Sequence, residues 1–157
     1  MPNIHHPEWD AERDAPPFRW RRARLGRQAG SRDLGASLFE VPPGAATFPL
    51  HIHHANEEML IVVSGRPSVR TPDDERELEP GEVVAFLSGR RGAHQILNRG
   101  DEPARVLMVS TNIYPEVVEH PDSNKVLAIT GRPDETAAMF LAFRKDSAVS
   151  VTHGEER

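Results

Sequence analysis

The sequence predicts an all-β fold, a sandwich or barrel of short antiparallel strands, and three observations carry that expectation. Punctuation is dense, with 14 Pro and 11 Gly among 157 residues, which suits short strands joined by turns better than a helical bundle. Apolar runs are short: EMLIVVS, VVAFL, HQILN and ARVLMVST follow one another through the middle of the chain. Between them lie TPDDER, ELEPGE, GRRG and NRGDEP, whose Pro, Gly, Asp and Asn favour reversals of direction. The length suits one domain with a real core; two small domains would each be marginal.

Taken in order, residues 1–17 carry Pro2, Pro7, Pro16 and Pro17 with little apolar pattern and read as an extended N-terminal arm. The barrel domain is expected over 18–145, with a short C-terminal tail over 146–157 whose THGEER ending should fray. FRWRRARLG and LGASLFEV read as strands. In the second, Leu34, Ala36, Leu38 and Glu40 alternate with Gly35, Ser37, Phe39 and Val41, so both faces look partly buried. Pro42, Pro43 and Gly44 end it. EMLIVVS is a continuous apolar strand closed by Gly65, and SVRT is a further strand. After Thr111 the regularity fades: YPEVVEHPDSNK reads as a loop, KVLAIT as a strand, and ETAAMFLAF as either a short helix or a strand. No tandem repeat and no phosphate-binding glycine pattern occurs.

Composition removes several function classes. With no cysteine, disulfides, thiolate metal sites and a cysteine nucleophile are excluded, and a reducing cytoplasm fits. No stretch approaches the roughly 20 apolar residues of a membrane span, and residues 1–14 lack the apolar core of a secretory signal. A formal charge of −5 argues against nucleic-acid binding. The arginine cluster Arg19, Arg21, Arg22, Arg24 and Arg27 reads as a solvated strand face or an oligomer contact.

Chemistry concentrates in GAATFPLHIHHANEEMLIVVSG, residues 44–65. His51 and His53 are two apart, so on a strand both imidazoles project from one face and can chelate one cation. A carboxylate four or five residues later, Glu57 or Glu58, can fold back to add an anionic oxygen. His94, in a distant strand, can be brought across by sheet closure. Such a donor set suits Mn, Fe, Co, Ni, Cu or Zn rather than Ca or Mg.

These residues resemble the two motifs of the cupin superfamily. The first, G-x5-H-x-H-x3-4-E-x6-G, is matched through His51, His53, Glu58 and Gly65, with six residues instead of five after Gly44. Its spacing selects Glu58 over Glu57, because Glu57 would leave seven residues before the glycine. The second, G-x5-P-x-G-x2-H-x3-N, is matched by Gly81, Gly89, His94 and Asn98 in GEVVAFLSGRRGAHQILN. Leu87 stands in place of the proline and four residues separate Gly89 from His94, which puts the conformation of the 87–93 loop in question. The resemblance spans about residues 34–111 and implies a cupin-type jelly-roll β-barrel. More narrowly, the chain is similar to small bacterial stand-alone cupins. It implies His51, His53, Glu58 and His94 as ligands of one divalent transition metal ion, with Zn, Mn, Fe and Ni the leading candidates.

The implied function is a metal-dependent small-molecule enzyme, such as a dioxygenase, isomerase or lyase. The alternative is a non-catalytic module holding a sugar or organic acid. No catalytic base stands out. His54 should point away from the metal by strand parity, and His5, His6, His120 and His153 read as solvated. Gln95 and Tyr114 offer hydrogen bonds, Asn98 reads as structural, and Arg90 and Arg91 flank the expected mouth. Trp9 and Trp20 read as anchors for the arm or a partner. The expected partners are a small-molecule ligand and a second copy in a cytoplasmic homodimer, whose partner barrel the arm would extend.

Overall fold

The computed structural model describes residues 1–132 and 135–155. Its strands are β1 (Ala11–Ala15), β2 (Phe18–Ala23), β3 (Leu34–Val41), β4 (Ile52–His53), β5 (Glu58–Ser64), β6 (Ser68–Arg70), β7 (Glu75–Glu77), β8 (Val83–Phe86), β9 (Gln95–Leu97), β10 (Ala104–Thr111), β11 (Glu116–His120), β12 (Lys125–Ile129) and β13 (Phe140–Arg144). One helical turn, α1 (Leu25–Gln28), follows β2. Among the described residues no helix is long and apolar enough to cross a membrane.

The strands form two layers. One is a six-stranded antiparallel sheet in the order β1-β2-β3-β10-β5-β8. The other contains the sheets β13-β12-β11-β4 and β7-β6-β9, joined by an antiparallel bridge between His51 and His94. This is the expected all-β, jelly-roll-type architecture, although its hydrogen-bonded sheets do not close into a continuous ring.

Alternation explains why one sheet is apolar on both faces. Phe39, Val41, Leu60, Val62, Val106 and Met108 point between the layers and pack with Val69, Leu78, Phe86 and Ile96. The opposite face carries Ala23 and Leu38, with Leu25 of α1 beside them. Ile4, Trp9, Val63 and Leu107 pack against this second cluster. The N-terminal segment thus covers its own chain's sheet. Asp10 fastens it, accepting from the Arg24 main-chain N–H at 2.8 Å and from Arg24 Nε at 2.9 Å. Each large apolar side chain fully buried here stabilises the fold by roughly 1.5–3 kcal/mol.

The segment read as a loop after Thr111 contains β11, which pairs with β12 and with the two residues of β4. Its inward positions, Glu116, Val118 and His120, include two polar residues, so the apolar signature of a strand is missing. The ambiguous ETAAMFLAF segment resolves toward strand at Phe140–Arg144. Of the THGEER ending expected to fray, residues 152–155 form an exposed turn, and Glu156 and Arg157 lie outside the described residues.

Candidate metal centre

His51 and His53 share one face of the short β4 segment, as the two-residue spacing dictates, and His54 points the other way. His54 Nε2 lies 2.7 Å from Glu119 Oε1 at the surface. His94 sits opposite His51, and the two exchange main-chain hydrogen bonds of 3.1 and 3.0 Å. Their rings stand 4.4 Å apart. Glu58 opens β5 on the inward face it shares with Leu60 and Val62, whereas Glu57 is exposed.

All three imidazoles turn Nε2 toward one carboxylate oxygen. Glu58 Oε2 lies 3.2 Å from His94 Nε2, 3.4 Å from His53 Nε2 and 3.9 Å from His51 Nε2. That oxygen is buried and has no hydrogen-bond partner among the described residues. His51, His53 and Glu58 form a group whose donor atoms all lie within 4.8 Å of one another, and His94 joins it through Glu58.

The far nitrogens are held by acceptors. His51 Nδ1 lies 2.9 Å from the Pro49 carbonyl and His94 Nδ1 2.8 Å from the Gly92 carbonyl. A carbonyl only accepts, so Nδ1 carries the proton in both rings and Nε2 keeps its lone pair for the centre. His53 Nδ1 faces Glu116 Oε2 at 3.5 Å. Phe86 stacks on His94 at 3.8 Å between ring centroids, which fixes that ring's plane. Three nitrogen lone pairs and one orphaned carboxylate oxygen fit a divalent transition metal.

Electrostatics agree with that fit. Burial, then the neighbouring His94 and His53, pushes His51 down to about 3, so its ring is neutral near pH 7. Burial would raise Glu58, but the imidazoles that surround it, His94 foremost, hold it below the usual carboxylate range. Burial would likewise lower His53, and Glu116 with Glu58 outweighs it, raising the value.

Glu116 escaped the sequence reading. Its carboxylate is 2% exposed. It accepts from the main-chain N–H groups of His54, Ala55 and Asn56 at 3.0, 3.1 and 3.1 Å, and from Asn56 Nδ2. It therefore shapes the turn that carries His53 toward Glu58.

The loop in question, 87–93, closes through two glycines. Gly89, at φ +80°, donates its N–H to the His53 carbonyl at 2.7 Å. A Cβ on Gly92 would stand 1.8 Å from the Leu87 carbonyl oxygen. The longer loop thus forms a 3-10 turn, Arg90–Gly92, that delivers His94.

Several other expectations are corrected. His120 is not solvated: it lines the cavity beside His51, with ring centroids 6.3 Å apart. Its Nδ1 is buried without a partner among the described residues, and burial, then Lys125, lowers its pKa. Arg90 and Arg91 are exposed and do not line the cavity, whereas Arg22 does. Trp20 packs inside, edge-on to Phe39 at 5.6 Å. Gln95 is structural, and Asn98 is structural as expected. Gln95 bridges the Phe48 carbonyl and Arg70, and Asn98 Nδ2 donates to the Val41 and Glu102 carbonyls.

The cavity measures about 440 Å³. Phe39, Phe48, Val118, Leu127, Ile129 and Phe140 give it apolar walls, with the His and Glu cluster at one side.

Comparison with known proteins agrees with this architecture. The family model for the cupin domain matches residues 37–110, so this part of the chain is a cupin domain. A sugar phosphate isomerase of the cupin superfamily from Silicibacter pomeroyi superposes with a TM-score of 0.80. It is 24% identical, over 96% of this chain and 97% of that one. A proposed sugar phosphate isomerase from Acidithiobacillus ferrooxidans gives 0.76 at 25% identity, over 87% of this chain and 83% of that one. The polyketide cyclase RemF from Streptomyces resistomycificus gives 0.60 at 24%, over 74% and 83%. No curated protein matches the sequence significantly.

Proposed function

We propose that this chain is a metal-dependent enzyme acting on a small molecule, with His51, His53, Glu58 and His94 holding one divalent transition metal ion. One observation carries the reading: three Nε2 atoms surround a buried, unpartnered Glu58 oxygen at the wall of a cavity of about 440 Å³. That volume falls within the range of small-molecule sites. A bound ion of this kind supplies Lewis acidity to a substrate oxygen.

The chain supplies the remaining requirements. The aromatic and aliphatic walls exclude water and strengthen polar contacts inside. His120, a cavity imidazole outside the proposed ligand set, offers Nδ1 as the atom that would hold or move a proton. Moving a proton on a chelated hydroxy-carbonyl compound, as in an isomerase or lyase, is the chemistry this arrangement favours. The likeness to a proposed sugar phosphate isomerase makes phosphosugars the first substrates to screen.

The decisive experiment is metal analysis of protein purified without added metal, followed by metal titration of variants. One divalent ion per chain is expected, with affinity lost in Glu58→Gln and reduced in His94→Ala. Glu57→Gln and His120→Ala should keep wild-type occupancy, and His120→Ala should lose turnover. Full wild-type affinity in both Glu58→Gln and His94→Ala would overturn the ligand set. Ligand-dependent thermal shifts with no product from any compound would make the protein a binding module instead.

A further inference from the structure

Arg22 belongs to an arginine-rich strand, yet its environment differs from that of its neighbours. Within β2 the side chains alternate: Arg21 reaches Glu40 on the outer face, while Trp20 and Arg22 turn inward. Arg24 pairs with Asp10, and Arg105 pairs with Glu40. Arg22 has no such partner. Its Nε is buried, and among the described residues its side chain enters no hydrogen bond or ion pair. The rings of Trp20 and Phe39 lie 5.4 and 5.9 Å from its guanidinium carbon and hold the group from two sides.

A half-buried cation without a counter-ion is costly unless something pairs with it. Glu58, the one carboxylate among the described cavity-lining residues, is already surrounded by three imidazoles. No carboxylate of the cavity is left for Arg22, and Asp10, whose charge reaches it, is engaged by Arg24. A second depression leads the same way. It shares Ser37 and Ser110 with the cavity and is lined by Arg27 and Arg32, beside Arg24 and Arg132 that pair with Asp10 and Asp33, so an anion meets local positive charge on a protein whose net charge is −5.

We propose that Arg22 sets specificity in the cavity by pairing its guanidinium with a carboxylate or phosphate group of the small-molecule ligand. The planar fork of donors matches either oxyanion. This deepens the reading of the cavity as the ligand site and is independent of whether the metal is bound.

The test is calorimetric titration of metal-free and metal-loaded protein with glycerol 3-phosphate, malonate and glycerol. At least one of the two anions should bind in both forms, and glycerol should not; the stronger anion identifies the preferred group. Arg22→Gln should weaken that binding by about 10- to 100-fold while keeping wild-type metal content. Arg22→Lys, which keeps the charge and loses the fork, should fall between the two and covers the case in which Arg22→Gln fails to fold. The exposed control Arg91→Gln should change nothing. Failure of both anions to bind, or affinities of both Arg22 variants within about twofold of wild type, below the effect of one charged hydrogen bond, overturns the proposal. Arg22-dependent anion binding by a protein that takes up no divalent ion would instead refute the metal assignment and leave this one standing.

Discussion

The Glu116 carboxylate accepts from three consecutive main-chain N–H groups and faces His53 Nδ1, so it acts on the centre through the turn it holds. Burial would raise its pKa, but the facing His53 imidazole and the hydrogen bonds from Asn56 and Ala55 hold it at about 2. The native state is therefore favoured fully above the unfolded value near 4.5, and that contribution disappears as pH falls through about 2. Glu116→Gln should flatten this acid limb in pH-dependent unfolding. Because the variant also loosens the support of His53, it should weaken metal binding by about 10- to 100-fold. A Glu116→Gln protein that binds metal as tightly as wild type would show that the turn holds itself. Glu119→Gln, which touches His54 and Lys145 instead, is the matched control.

β5 and β10 were legible because their inward and outward positions are both apolar, and the packing shows why: one face meets the core and the other meets Trp9 and Ile4. The motif spacing located His51, His53, Glu58 and His94, and the geometry brings all four side chains together. What stayed hidden follows one physical pattern. The inward face of β11 reads Glu116, Val118, His120, and β2, although read as a strand, turns Arg22 inward beside Trp20, so polar residues stand where a strand normally shows apolar ones. Period-two alternation was present in both, but it alternated residues that look solvated. The loop before β9 was uncertain for a different reason, since its closure depends on Gly92 touching the Leu87 carbonyl. Gly92→Ala should displace that turn, lowering the unfolding temperature and metal affinity together, as measured by thermal melts and titration. An alanine variant with unchanged affinity would mean that His94 is positioned by its bridge to His51 alone.

At the C-terminal end, β13 is the outer strand of its sheet and is exposed along its length. Phe140, Leu141 and Phe143 are 52%, 47% and 48% exposed, and an apolar edge of this kind invites pairing. A homodimer built on this strand is expected: light scattering at micromolar concentration should give twice 17.5 kDa, and Phe143→Arg should lower it. A monomeric wild type would sink that expectation. The two layers carry a further consequence. Glu58 belongs to the six-stranded sheet, whereas His51, His53 and His94 belong to the layer facing it. An ion held by all four would rivet one layer to the other, and its binding energy would be spent partly on keeping them closed. The sign of this lies in the exchange of amide protons with solvent. The His51 and His94 amides, each bonded to the other's carbonyl, should exchange more slowly when metal is added, by the factor the ion contributes to closure, while those of β1, at the far edge of its sheet, keep their rates.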